Sequence, residues 1–207
     1  MKRVVLLVAV AALILSTAAM ADTTVTYSTT GGFNNTASTV LNLGGVTVTY
    51  HPQASSTISL PSSGAPLYDW GTAQFGTFTV SGTGSGDGTG NTFQLTLNQT
   101  VPAPGGTAVD SATLSGVITS SGSHLIVVFN NLTFNWPGNG VNYSIMAGSP
   151  LSGVNWAVTE QTTIQPAGQV TSLQGLGQTT PTPEPSSLLL LGAGVSGLVG
   201  MIRRKRA

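Results

Sequence analysis

Few side chains between residues 22 and 182 are of the types that do chemistry. This stretch contains five acids and two histidines, and it contains no cysteine, lysine or arginine. Asp69 and Asp87 lie beside glycine-rich turns, where carboxylate and carbonyl oxygens can surround a Ca²⁺ ion. They are the candidate calcium ligands. Isolated acids on a polar surface more often serve only to keep a protein soluble, and the spacing of these acids leaves both interpretations open.

The two histidines do not form a recognisable catalytic pattern. His51 precedes a proline at a predicted strand end, and His124 opens a predicted apolar strand. A nucleophilic triad would need an activated serine beside one of them, and the chain has no G-x-S-x-G motif. The absence of cysteine excludes thiol catalysis, and two histidines alone make a poor zinc site. We therefore expect no enzymatic activity and no cofactor beyond the calcium considered above; a secreted hydrolase is the disfavoured alternative.

The segment 66–71 combines two aromatic residues and an acid in what reads as a loop. Binding residues tend to collect in loops, so Tyr68 and Trp70 are candidates for stacking on a carbohydrate. The alternative is an aromatic pair that closes one end of the fold. Trp136 and Trp156 fall on the apolar phases of their strands, and we expect both in the core.

Alternation of apolar and polar residues dominates the region between residues 22 and 173. A period of two places apolar side chains on one face of a strand and hydroxyls or amides on the other. Gly, Pro, Ser and Asn clusters separate the alternating runs, and 82–90 reads as a flexible glycine-rich loop. The pattern predicts an all-β ectodomain, an antiparallel β-sandwich of jelly-roll type, followed by a linker at 174–182. The predicted strands cover 23–29, 46–50, 57–60, 76–81, 93–97, 112–119, 124–130, 132–136, 141–145, 154–158 and 169–173.

Charge is distributed very unevenly along the chain. All six basic residues lie at positions 2–3 and 203–206, so the region between 22 and 182 carries five acids and no cation. A surface without cations cannot release counterions from a phosphate backbone, which excludes nucleic acid as a partner.

The first 21 residues have the layout of a secretory signal peptide. Two basic residues precede a short apolar run at 4–15, and Ala19 and Ala21 form a small-x-small cleavage site. The run is too short for a transmembrane helix. We expect cleavage before Asp22, so that the mature chain begins there.

The segment 183–207 has three parts in a fixed order. Pro183, Glu184 and Pro185 come first, an apolar run at 186–202 follows, and the basic cluster Arg203, Arg204, Lys205 and Arg206 comes after it. Seventeen helical residues rise about 25 Å, slightly less than the bilayer's hydrocarbon core of about 30 Å. The basic cluster predicts that this transmembrane helix has its C-terminal side in the cytoplasm.

These three parts resemble the PEP-CTERM sorting tail of Gram-negative bacteria. The resemblance implies processing by exosortase, a membrane transpeptidase-like enzyme, at or near the Pro-Glu-Pro triplet. It also implies an inner-membrane precursor and a product at the cell surface or in the extracellular matrix of a biofilm-forming, exopolysaccharide-producing cell. The expected function is therefore that of a non-catalytic surface or matrix protein, with a carbohydrate-binding module that holds exopolysaccharide as the alternative.

Overall fold

The computed structural model describes residues 23–60, 70–135, 140–148, 151 and 153–179. All of these residues belong to one compact unit, Asp22–Thr180. They form fifteen strands and no helix. The strands are β1 (Thr23–Phe33), β2 (Val40–Leu43), β3 (Val46–Pro52), β4 (Ser56–Leu60), β5 (Gly71–Gly82), β6 (Ser85–Asp87), β7 (Thr92–Val101), β8 (Gly106–Ser115), β9 (Val117–Thr119), β10 (Ile126–Phe129), β11 (Thr133–Asn135), β12 (Asn142–Ile145), β13 (Val154–Thr159), β14 (Gln161–Thr163) and β15 (Val170–Thr179). The predicted signal peptide and the predicted sorting tail lie outside the described residues.

The strands form two large antiparallel sheets, which confirms the predicted sandwich. The first sheet has six strands in the order β14-β10-β8-β7-β1-β4. The second has seven strands in the order β11-β12-β13-β15-β5-β3-β2. A further two-stranded ladder joins β6 to β9.

The main hydrophobic core lies between the two sheets and is rich in aromatic rings. Tyr27 of the first sheet packs on Phe75 and Trp156 of the second, with ring centroids 6.1 and 5.2 Å away. Trp156 has no exposed surface, which confirms its predicted core position, and its Nε1 donates a hydrogen bond to Gln99 Oε1 at 2.9 Å. The long strands β1, β5, β7 and β8 contribute alternate residues to this core and leave mostly threonine, serine or amide side chains outside.

A pair of adjacent glycines, which the sequence pattern predicts to form a turn, instead lies inside a strand. Gly31 and Gly32 continue β1 as far as Phe33, paired with β7. A Cβ on Gly32 would lie 1.9 Å from the Thr36 carbonyl oxygen, so glycine is needed there for close packing. The sequence pattern also missed three short strands, β2, β6 and β14, which have only three or four residues each.

The predicted linker at 174–182 begins too early. β15 continues through Thr179 and pairs with β13 on one side and β5 on the other. The glycines that suggested a linker are sites of close packing: a Cβ on Gly175 would lie 1.9 Å from the Phe75 ring, and one on Gly177 would lie 2.7 Å from Leu60. The ectodomain therefore extends at least six residues beyond the predicted boundary at 173.

The predicted flexible loop at 82–90 is also partly wrong. Residues Ser85–Asp87 form β6, which pairs with Val117–Thr119. Gly86 is buried in this ladder, and a Cβ on it would lie 2.3 Å from the Leu43 carbonyl oxygen. The glycine-rich composition reflects tight packing of β6 against β2.

Candidate functional site

Three aromatic rings form a stack outside the main core. Phe134 in β11 lies directly opposite Tyr143 in β12, with ring centroids 5.6 Å apart and an interplanar angle of 27°. Trp70, the residue before β5, stacks on Phe134 at 5.3 Å and 30°. We call these three residues the aromatic stack.

The aromatic stack lies on part of the outer face of the seven-stranded sheet. It packs with Ala157 of β13 and Leu176 of β15 in a cluster separate from the main core. The neighbours of Ala157 along β13, Trp156 and Val158, belong to the main core between the sheets. Because successive residues of a strand point to opposite faces, Ala157 and the aromatic stack lie on the face that points away from the other sheet.

Polar side chains continue this outer face beside the aromatic stack. Asn155 and Gln178 are cross-strand partners of β13 and β15, and each is two residues from an apolar member of the cluster. Both side chains are partly exposed. Thr159 follows at the same phase of β13, and its hydroxyl donates to the Gln174 carbonyl oxygen at 3.0 Å. Rings and uncharged hydrogen-bonding groups thus share one surface.

The structure describes only one of the two predicted carbohydrate contacts. Trp70 is partly exposed and belongs to the aromatic stack, whereas Tyr68 lies outside the described residues, as does Trp136. The sequence did not single out Phe134 and Tyr143 as partners of Trp70. Their apolar phase in 132–136 and 141–145 was visible, but the pairing that brings them to Trp70 depends on strand order.

Of the two candidate calcium ligands, the structure describes only Asp87. Asp87 ends β6, and its Oδ1 accepts a hydrogen bond from the backbone N–H of Thr89 at 2.8 Å. Hydrogen bonds from the Thr89 side chain and backbone hold the pKa of Asp87 below its ordinary value. Asp69 lies outside the described residues. Within the described ranges no three acids, histidines or cysteines come together as a metal site, and calcium binding stays a prediction.

Asp110 occupies a position that the sequence analysis did not anticipate. It is one of the five acids between residues 22 and 182, which would be expected at a polar surface, yet only 1% of it is exposed. On β8 it shares its phase with the core residues Ala108 and Ala112. Its Oδ2 accepts a hydrogen bond from Ser144 Oγ of the opposite sheet, and its Oδ1 accepts one from Asn131 Nδ2, both at 2.8 Å.

Burial of Asp110 raises the pKa of its carboxyl group. Loss of solvent raises the pKa of this carboxyl from 3.8 to about 6, although hydrogen bonds from Ser144, Ser111 and Asn131 act in the opposite direction. A backbone bridge lies beside it, since Val109 and Ala147 exchange two hydrogen bonds of 2.9 Å. Asp110 thus links the two sheets through its hydrogen bond with Ser144.

The two histidines lie at the surface. His51 is part of β3, and its Nε2 lies 2.8 Å from Thr79 Oγ1 on the adjacent strand. His124 precedes β10, and its backbone N–H donates to the Val117 carbonyl oxygen at 2.9 Å. Both contacts are of the structural kind expected for exposed strand residues.

The described residues thus form an antiparallel β-sandwich ectodomain, and a sorting motif follows it in the chain. The family model of the PEP-CTERM protein-sorting motif matches residues 181–206. The chain therefore carries the sorting signal of an exported protein that exosortase processes, with a membrane-anchored precursor and a product at the cell surface. No curated protein and no solved structure matches the chain.

The predicted membrane span at 186–202 lies outside the described residues. In the part of the chain that the structure does describe, no helix is long and apolar enough to cross a membrane.

Proposed function

We propose that the chain is a non-catalytic structural protein of the cell surface or extracellular matrix in a Gram-negative, exopolysaccharide-producing bacterium. The observation that carries this proposal is where the fold ends relative to the sorting motif. β15 ends at Thr179, and the motif begins at residue 181. Because β15 lies between β13 and β5, a cut before Thr179 would damage the sheet, whereas a cut within the motif removes none of its paired residues.

The outer surface of the ectodomain supports a role in a hydrated matrix. The outward residues of β1 include Thr24, Thr26 and Ser28, and the same hydroxyl-rich pattern continues in the neighbouring strands. Threonine keeps strand propensity high and exposes little apolar area. The result is a polar face that carries few charges.

Release from the membrane is tested in cells that contain an exosortase-like enzyme. The full chain should appear outside the cell at a mass that lacks the tail. Glu184→Ala and deletion of 203–206 should leave full-length protein in the inner membrane, because they remove the triplet's acid and the cytoplasmic charges. Glu160→Ala, which changes an acid of the ectodomain, is the matched control and should be released normally. Recovery of surface material that still contains 203–206 would show that the tail is a plain anchor.

The non-catalytic part of the proposal has its own test. Purified protein should be inactive in broad esterase, protease and glycosidase screens. Turnover that survives repeated purification and disappears in a point variant would instead support the secreted-hydrolase alternative.

A second candidate function is carbohydrate binding, in which the ectodomain holds exopolysaccharide. The aromatic stack favours it, because Trp70 and Phe134 are partly exposed on a sheet face and not enclosed between the sheets. Retention of the protein by exopolysaccharide from the producing cells, and loss of retention in Trp70→Ala, would support this function.

A further inference from the structure

We infer that the aromatic stack and the neighbouring amides form a binding surface for a neutral polysaccharide chain. This inference rests on the second proposed function and narrows it to one class of ligand. Three features of the described residues carry it: the rings, the amide pair and the absence of cations.

The rings provide the apolar half of the surface. Aromatic side chains contribute large contact areas with few rotatable bonds, and they suit the C–H faces of pyranose rings. Trp70 and Phe134 remain partly exposed even though they stack on each other, whereas only 8% of Tyr143 is exposed. Tyr143 is therefore the buried ring of the stack and packs against Phe134.

The amides provide the polar half of the surface. Asn155 and Gln178 lie side by side, and each offers an N–H₂ donor and a carbonyl acceptor. Sugar hydroxyls both donate and accept, so an amide pair can satisfy them without any charge. The Thr159 hydroxyl lies farther along β13 on the same face.

The absence of cations from the ectodomain favours a neutral polysaccharide over an anionic one. Uronates, sulfates and phosphates are normally bound by arginine or lysine, and neither residue occurs between positions 22 and 182. The five acids between positions 22 and 182 instead give this stretch a net negative charge. An anionic polymer would thus meet repulsion with no compensating ion pair.

The extent of the surface favours a chain over a single sugar. Apart from Trp70, which precedes β5, its members come from β11, β12, β13 and β15, which are consecutive in the sheet. Three strand spacings amount to about 14 Å, so several linked sugar units can contact the surface at once.

Affinity electrophoresis of the full chain in mild detergent tests the inference. Gels contain a neutral polymer (dextran or a mixed-linkage β-glucan), an anionic polymer (alginate) or a cationic polymer (soluble chitosan). We expect retardation by a neutral polymer, little retardation by alginate, and no change when salt or a chelator is added. Trp70→Ala and Phe134→Ala should each weaken binding about tenfold. Val170→Ala is the matched control, because Val170 is an apolar residue of β15 that is 60% exposed.

Substitution of the rings could also disturb folding, so each variant is compared with the native chain by circular dichroism and thermal unfolding. Asn155→Ala leaves the rings in place and should still weaken binding. Three results would overturn the inference: no retardation by either neutral polymer, stronger binding of chitosan or alginate than of the neutral polymers, or unchanged binding in both Trp70→Ala and Asn155→Ala. The proposed release from the membrane is measured separately as the mass of surface material, so either idea can fail alone.

Discussion

Replacement of the buried carboxyl Asp110 by an amide should remove most of the pH dependence of the ectodomain's stability. The carboxyl lies between the sheets with 1% exposure, and the groups that hydrogen-bond to it are uncharged. Burial raises its pKa to about 6, so the folded state binds a proton more tightly than the unfolded chain does. The corresponding stability is fully present below pH 3.8 and is lost as the pH rises through about 6.

The size of the effect follows from the two pKa values. The interval between 3.8 and about 6 corresponds to about 3 kcal/mol of unfolding free energy. For a domain of this size each kcal/mol moves the thermal midpoint by about 2–4 °C, so Asp110 alone should lower the melting temperature by about 6–12 °C between pH 3.5 and pH 7.5. In Asp110→Asn this contribution should vanish, because an amide does not titrate.

Thermal unfolding of the fragment 22–180 and of its Asp110→Asn variant between pH 3.5 and 7.5 measures the effect. His51, His124 and Asp87 are retained in the variant, so the difference between the two pH profiles isolates Asp110. A second variant, Ser144→Ala, removes a hydrogen bond to the carboxylate and should lower stability more at pH 7.5 than at low pH. A native protein that loses no stability relative to Asp110→Asn between pH 4 and 6 would contradict this role of Asp110.

Four further predictions concern packing, hydrogen bonding, proteolysis and calcium. Gly175→Ala should destabilise the ectodomain by about 3 kcal/mol or prevent folding, because the new Cβ would lie 1.9 Å from the Phe75 ring; Gly122→Ala, whose Cβ meets only a contact at 3.6 Å, should leave the melting temperature unchanged. Gln99→Leu should lower the unfolding free energy in denaturant titrations by about 2–5 kcal/mol, since it leaves the Trp156 Nε1 and the Leu151 carbonyl oxygen without this partner. Trypsin should not cut the mature ectodomain even after denaturation, and an internal tryptic fragment in a mass spectrum would contradict the sequence. A chelator should leave the thermal midpoint unchanged, and a fall of several degrees would instead support calcium binding at Asp69 and Asp87.

The fold class could be predicted because it depends on local alternation. Runs such as 46–50 and 154–158 have apolar residues at every second position, and each lies within an observed strand, β3 or β13. Strand ends were harder to predict, because glycines such as Gly31 and Gly175 indicate a turn or a linker when only their neighbours in sequence are considered. Their role follows from contacts with residues far away in the chain, such as the packing of the Phe75 ring against Gly175.

The candidate site could be predicted only in part for the same reason. Trp70 stood out because its neighbours suggested a loop, but Phe134 and Tyr143 join it only through the order of the strands. The alternation that places Ala108 and Ala112 in the core also places Asp110 there, yet a carboxylate on an apolar phase is more easily interpreted as a solvated acid. Ser144, which makes that burial tolerable, comes from the opposite sheet.

A protein concentrated at a surface must avoid edge-to-edge pairing with its own copies, and this ectodomain has no lysine to prevent it. Lysines on edge strands commonly prevent such pairing, but no cation occurs between residues 22 and 182. The edge strands β14 and β2, whose flanking residues on both sides the structure describes, are instead very short. β14 has three residues and β2 has four, whereas β1, β5, β7, β8 and β15 have ten to twelve. A three-residue edge offers too few hydrogen bonds to hold a second chain, so short edges can replace charge as the safeguard against aggregation while the long central strands hold the sandwich together.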